Sequence, residues 1–135
     1  MASIRKEILT AARPERVWDA LRDIGALHTR LVPGFVTDTR LETGARIVTF
    51  ANGMVVRETI VTVDDAERRV VWSASGGTLV HYNGAAQVVC GPGGETKVVW
   101  IADLLPDAAA GAIDAMMEEG MQIMKRTLDR LAVEA

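Results

Sequence analysis

Leu79–Cys90 (LVHYNGAAQVVC) and Glu95–Leu105 (ETKVVWIADLL) flank Gly91-Pro92-Gly93-Gly94 and run into Pro106-Asp107; this stretch decides the fold. Two long, apolar-rich runs around a Gly/Pro turn read as neighbouring antiparallel strands. Past Pro106 the period changes. Ile113, Met117, Met121 (or Gly120), Met124, Leu128 and Leu131 recur at three- and four-residue spacing, which predicts one long amphipathic helix nearly to Ala135. Asp107 is expected as its N-cap or first-turn acid, with Lys125 and Arg126 towards the C-terminal end that the helix dipole favours.

Working back towards the N-terminus, Ser3–Thr10 reads as a first strand. Pro14-Glu15-Arg16-Val17-Trp18-Asp19-Ala20-Leu21 opens as a helix does, with Val17, Trp18 and Leu21 on its core face. Asp23–Leu31 is a broken, helical connection and Pro33-Gly34 a turn. Period-two strands are expected over Phe35–Leu41, Ala45–Phe50, Met54–Val63 and Arg68–Ser75, with Asn52-Gly53 and Gly76-Gly77 among the breaks. The class is α+β. Its order is β-α-α-β-β-β-β-β-β-α, a bent antiparallel sheet whose concave face needs the last helix to cover it.

Composition narrows the function. The chain has 135 residues and a net charge of −3, so it fits one domain, 1–135, and carries no basic excess for tracking phosphates. Six aromatics and no stacking set argue against single-stranded nucleic acid as a partner. No apolar run is long enough to enter a bilayer, and the N-terminus turns charged where a signal peptide needs an apolar core. A cytoplasmic protein is expected. One cysteine excludes an internal disulfide framework, and Cys90 is expected to be a small buried hydrophobe. His28 and His81 have no partners at ligand spacing, so no metal is expected. No phosphate loop, dinucleotide fingerprint or nucleophile elbow occurs, so no cofactor is expected either.

The chemistry-bearing candidates follow from strand parity. Met54, Val56, Glu58, Ile60 and Thr62 share one face of their strand. An inward Glu58 would have its pKa raised by desolvation and serve as base or hydrogen-bond anchor. An outward one would pair with Arg57 or a cross-strand arginine. Trp72 shares a face with Val70 and Ala74; Tyr82 shares one with Val80, Gly84, Ala86 and Val88. Each has an apolar body and one polar tip suited to orienting a ligand, and plain core packing is the alternative. Gly84-Ala85-Ala86 leaves space or admits a close neighbour. Asp103 enters the interior only if a bulge shifts its strand's phase. His81 reads as an exposed strand histidine or a base at a pocket mouth, and His28 as a solvated loop residue. Met116, Met117, Met121 and Met124 suit irregular apolar space, while Gly120 in mid-helix implies a packing or cavity reason.

Val56–Asp65, Arg69–Gly77, His81-Tyr82-Asn83 and Val99–Pro106 together resemble the polyketide cyclase/dehydrase and lipid-transport branch of the START-like (SRPBCC) superfamily. The resemblance spans nearly the whole chain. A more distant likeness reaches the plant abscisic-acid receptors, although Ala45-Arg46-Ile47-Val48 offers no counterpart to their ligand-pairing lysine. The resemblance implies a helix-grip, birch-pollen-allergen-like fold: a curved seven-stranded sheet around the C-terminal helix, two short helices after strand 1, and a ligand cavity between sheet and helix. It turns the Glu58 face inward. The candidate ligand-binding residues are then Val56, Glu58, Ile60, Trp72, Ala74, Tyr82, Gly84, Asp103, Met117, Met121 and Met124. The leading expectation is binding or transport of a hydrophobic or amphipathic small molecule of lipid, polyketide or aromatic type. One alternative is a cyclase or dehydratase with Glu58 as base and Tyr82 as oxyanion donor. The other is a homodimeric interaction module.

Overall fold

A computed structural model describes residues 1–133. Strands β1 (Ala2–Thr10), β2 (Val36–Glu42), β3 (Ala45–Phe50), β4 (Val55–Asp64), β5 (Arg69–Gly76), β6 (Leu79–Cys90) and β7 (Thr96–Leu105) form a single antiparallel sheet in the order β1-β7-β6-β5-β4-β3-β2. Each of β2 to β7 pairs with its neighbour in sequence through a short turn, and β1 closes onto β7 from Ala2↔Leu104 to Thr10↔Thr96. Gly44, Gly53 and Gly94 hold positive φ angles in these turns, a backbone state that side chains with a Cβ resist.

Helix α1 (Pro14–Arg22) begins with its proline in the first turn and buries Val17, Trp18, Ala20 and Leu21. The Trp18 indole donates to Asp65 Oδ1 at 2.9 Å, tying α1 to the β4–β5 turn. The second short helix is a single π-helical turn, Leu27–Leu31, which buries Leu27 and Leu31. Arg30 reaches back from it to Asp19 (2.6 Å) and Asp23 (3.0 Å), ion pairs that hold the turn against α1. Helix α2 (Ala110–Val133) lies over β1 and the π-helical turn, with Met117, Met121, Met124 and Leu128 buried against the sheet. The helix expected nearly to Ala135 is thus seen to Val133; Glu134 and Ala135 lie outside the described residues.

Several local expectations are corrected. Asp107 does not cap α2. It opens a 3-10 turn (Asp107–Ala109) and lies 3.3 Å from the Met1 amine. A bulge between Ile60 and Thr62 inverts the alternation of β4, so Thr62 is exposed and Val63 packs on the core. A second irregularity, between Ala74 and Gly76, turns Leu79 inward and leaves Val80 76% exposed, so Val80 does not share the face of Tyr82. Cys90 ends β6 exposed, because the turn beyond it carries the chain away from the core. His28 is half-buried, with an Nδ1 that is buried and has no hydrogen-bond partner among the described residues.

Candidate functional site

Arg46 and Glu58 face one another directly across β3 and β4. Arg46 Nε donates to Glu58 Oε1 at 2.7 Å, and both residues are buried, 3% and 8% exposed. The guanidinium carbon lies 5.2 Å from the Trp72 ring centroid, a cation–π distance. Arg46 Nη1 also reaches the Ile24 carbonyl at 3.4 Å, linking the pair to the connection between α1 and the π-helical turn. The two alternatives for Glu58 are therefore combined: the carboxylate faces inward and is paired with a cross-strand arginine. Burial pushes the Glu58 pKa up, and the Arg46 charge and hydrogen bond only partly offset this. Tyr82, also buried, is raised by desolvation first and by the nearby Glu58 charge second.

The space between sheet and helix is not filled. An inner cavity of about 60 Å³ is bounded by the π-helical turn (Leu27, Leu31), Arg46, Trp72 and Met124. An outer cavity of about 80 Å³ lies between Val56, Ala74, Tyr82 and Met117, with Met54, Leu79, Ile113 and Met116 towards its mouth. Phe35, Phe50, Glu58 and Trp100 line both and partition them. Each lobe has room for a few waters. Five of the six aromatic residues line this divided cavity, Trp18 being the exception, so its walls are flat and apolar around a single ion pair. Phe35 and Phe50 meet edge to face at 5.5 Å, and Trp72 and Trp100 lie tilted at 6.4 Å. Among the described residues the Trp72 Nε1 is buried without a hydrogen-bond partner, while Trp100 interacts with the Tyr82 hydroxyl and partly offsets the rise in its pKa.

Two glycines shape these walls. A Cβ at Gly84 would stand 2.5 Å from the Trp72 indole, so only glycine lets that ring lie flat on β6. A Cβ at Gly120 would come within 3.0 Å of Phe35 and 3.2 Å of Trp100, which explains a glycine in the middle of α2.

Among the expected ligand-binding residues, the cavity thus gathers Val56, Glu58, Trp72, Ala74, Tyr82, Met117 and Met124. Ile60 is half-buried against the core, Met121 is 1% exposed within it, and Gly84 supports Trp72; none of the three lines the cavity. Asp103 is on the other side of the sheet. The β6–β7 register runs unbroken from His81↔Leu105 to Cys90↔Thr96, so no bulge brings Asp103 inward; it borders an outer-face groove with Arg69, Asn83 and Gln87. His81 borders another such groove with Arg57 and Val80.

Sequence reasoning missed Arg46, Phe35 and Phe50, and the two mostly apolar faces of its strand left the direction of Trp100 open until the structure turned it to the cavity. A usable signal existed for the first: Arg46, Val48 and Phe50 alternate on one face of β3, and the turn through Asn52-Gly53 brings Arg46 opposite Glu58. Among the described residues no group of three His, Cys, Asp or Glu is placed to hold a metal ion, and no helix is long and apolar enough to cross a membrane.

The family described as polyketide cyclase / dehydrase and lipid transport matches residues 1–135. The chain belongs to this family. Its sheet and helix are those of the helix-grip, START-like fold. Among solved structures, the protein XoxI from Bacillus cereus is 19% identical and superposes with a TM-score of 0.86, covering 100% of this chain and 99% of that one. A START superfamily protein from Mycobacterium smegmatis is 10% identical with a TM-score of 0.71, over 98% and 97% of the two chains. The di-domain ARO/CYC BexL from the BE-7585A biosynthetic pathway is 16% identical with a TM-score of 0.80, and 96% of this chain covers 47% of it. At these identities the likeness is one of fold. No curated protein matches the sequence.

Proposed function

We propose that residues 1–135 act as one ligand-binding domain that encloses a small hydrophobic or amphipathic molecule in the divided cavity, with the Arg46–Glu58 pair as its polar anchor. The observation that carries this reading is the void itself: two apolar lobes meet at one buried ion pair where a packed core would otherwise be. Pockets that hold small organic molecules have this composition, mostly apolar and aromatic with a few convergent polar groups. The family description, which includes lipid transport, supports the same reading. Val56, Ala74, Tyr82 and Met117 would contact the ligand in the outer lobe, and Trp72 and Met124 in the inner lobe. The outer lobe, beside the partly exposed Met54, is the side from which a ligand arrives.

Native mass spectrometry of freshly purified protein, compared with the denatured mass, tests this. Extra mass that disappears on denaturation is expected. A bare protein that also shows no thermal shift with any member of a panel of aromatic and acyl compounds would overturn it.

A second reading is favoured by Glu58 and Tyr82 lining the same lobe. Here Glu58 takes a proton from carbon alpha to a substrate carbonyl. The C–H electron pair becomes the C=C bond of an enolate, and Tyr82 donates a hydrogen bond to the oxygen that gains the charge. The raised Glu58 pKa suits a group that must hold the proton it removes. Deuterium exchange at that carbon, lost in Glu58→Gln with binding retained, is the expected result. Unchanged exchange in that variant removes Glu58 as the base.

A further inference from the structure

The Arg46–Glu58 pair is incompletely satisfied. Of the five N–H groups of Arg46, one is used by Glu58 and one makes the long contact to Ile24; among the described residues the others have no acceptor. Glu58 accepts through Oε1 alone, and Oε2 receives no hydrogen bond from any described residue. Buried charges are tolerated when their remaining donors and acceptors find partners, so a site built this way calls for a partner that supplies them. Both residues line the inner lobe, and Glu58 lines the outer lobe as well.

Resting on the binding role proposed above, we propose that this partner is an aromatic monocarboxylic acid of compact size, bound with its proton. One carboxyl oxygen accepts from the Arg46 guanidinium, and the other shares a proton with Glu58, while the ring takes the space of both lobes against Trp72 and displaces the Phe35, Phe50 and Trp100 side chains that partition them.

The chemistry selects this class against its neighbours. The open guanidinium edge needs an acceptor and the open carboxylate oxygen needs a donor, and a protonated carboxyl group presents both from one carbon. An ester presents acceptors only. An amine brings a second cation beside Arg46. A fully ionised acid brings a second anion beside Glu58, in apolar surroundings where like charges repel strongly. One proton must therefore accompany the anion: ligand carboxylate plus a proton from solvent enters, and the only covalent bond formed is the O–H between ligand and Glu58. The charged and titratable groups that face Glu58 are Arg46 from β3 and the Tyr82 hydroxyl from β6; β5, β7 and α2 present Trp72, Trp100 and Met117. Burial pushes the Glu58 pKa above its ordinary value, the direction that helps to hold a proton shared with the ligand.

The test is isothermal titration calorimetry with phenylacetate and its neutral analogue 2-phenylethanol, in two buffers of different protonation heat, at about pH 7.5 and about pH 9. Phenylacetate should bind the wild-type protein with uptake of about one proton, its affinity falling close to tenfold per pH unit. In the near-isosteric Glu58→Gln the amide cannot hold that proton, so phenylacetate should bind Arg46 without proton uptake and with pH-independent affinity. Phenylethanol should bind both proteins without proton uptake. Phenylacetate binding to wild type without a proton, or proton-linked binding that persists in Glu58→Gln, overturns the proposal. Binding of phenylethanol but not phenylacetate overturns the acid while leaving the apolar cavity as a ligand site. Binding of neither overturns both.

Discussion

The indole of Trp72 lies directly on Gly84 of the adjacent strand, close enough that a Cβ there would stand 2.5 Å from Cε2 and 2.7 Å from Nε1. This contact holds the ring flat beneath the Arg46 guanidinium and so helps to define the inner lobe. Gly84→Ala should therefore push the indole into the cavity and away from Arg46. Overpacking of this kind costs about 1–3 kcal/mol, to be read from urea unfolding, together with a changed tryptophan emission.

The buried pair predicts a second asymmetry. Arg46→Met leaves the Glu58 carboxyl alone in apolar surroundings and should cost about 3–5 kcal/mol. Replacing both residues, Arg46→Met with Glu58→Leu, should recover most of that loss, since the desolvation of both charges disappears with them. A double-mutant cycle in urea measures the coupling. Near-additive single effects would show that the two side chains are not energetically joined.

The pH dependence of stability has a definite sign. The folded-state Glu58 pKa is raised above its ordinary 4.5, so just above that value the native protein holds a proton that the unfolded chain has released. Stability contributed by this group is present below 4.5 and is lost as pH rises through the folded-state pKa. Exposed carboxylates such as Glu7, Asp19 and Asp65 are held low by basic partners and act in the opposite direction. They are common to wild type and Glu58→Gln and cancel in the difference between the two. That difference should turn against wild type as pH increases; a difference that turned in its favour would mean that Arg46 outweighs burial.

Gly120 offers a milder contrast. Alanine gains about 1 kcal/mol of helix preference, and the rings that its methyl would press, Phe35 and Trp100, border empty space into which they can yield. Gly120→Ala should thus change stability by less than about 1 kcal/mol. Gly120→Leu should fill the partition and reduce the thermal shift produced by any compound that binds wild type.

At the outer end of α1, Asp65 accepts from the buried Trp18 indole and pairs with exposed Arg22. Asp65→Ala should cost about 1–2 kcal/mol, mostly through the unpaired indole N–H. Asp65→Asn keeps an acceptor and should cost much less, because the exposed ion pair contributes little. Thermal unfolding of the two variants separates these contributions.

Much of the fold was legible because its signals are local. The period-two runs, the glycine turns and the long stripe from Ile113 to Leu131 each depend on residues close in the chain, and the observed strand ends fall within about a residue of those expected. The departures come where pairing overrides local preference. The bulge after Ile60 and the irregularity before Gly76 change which side chains face inward, and parity counted along one strand cannot register an extra residue absorbed by its neighbour. The same reasoning explains Asp103: only the unbroken β6–β7 register places it on the outer face.

For the candidate site, Glu58, Trp72 and Tyr82 stand out in the sequence as polar-tipped residues on apolar faces. Arg46 does not, because a strand arginine usually reaches solvent, and it becomes part of the cavity only through its position opposite Glu58 and against Trp72. The amino-acid sequence by itself determined the order of the elements, the antiparallel sheet, the covering helix and the family, since these rest on periodicity and on turns between neighbours. Only the tertiary structure decided which charge neutralises Glu58, that five aromatics converge around it, and that the space between them stays open. Those are relations between side chains on separate strands and the helix, and the free energy of a buried ion pair depends on what surrounds it rather than on what precedes it in the chain.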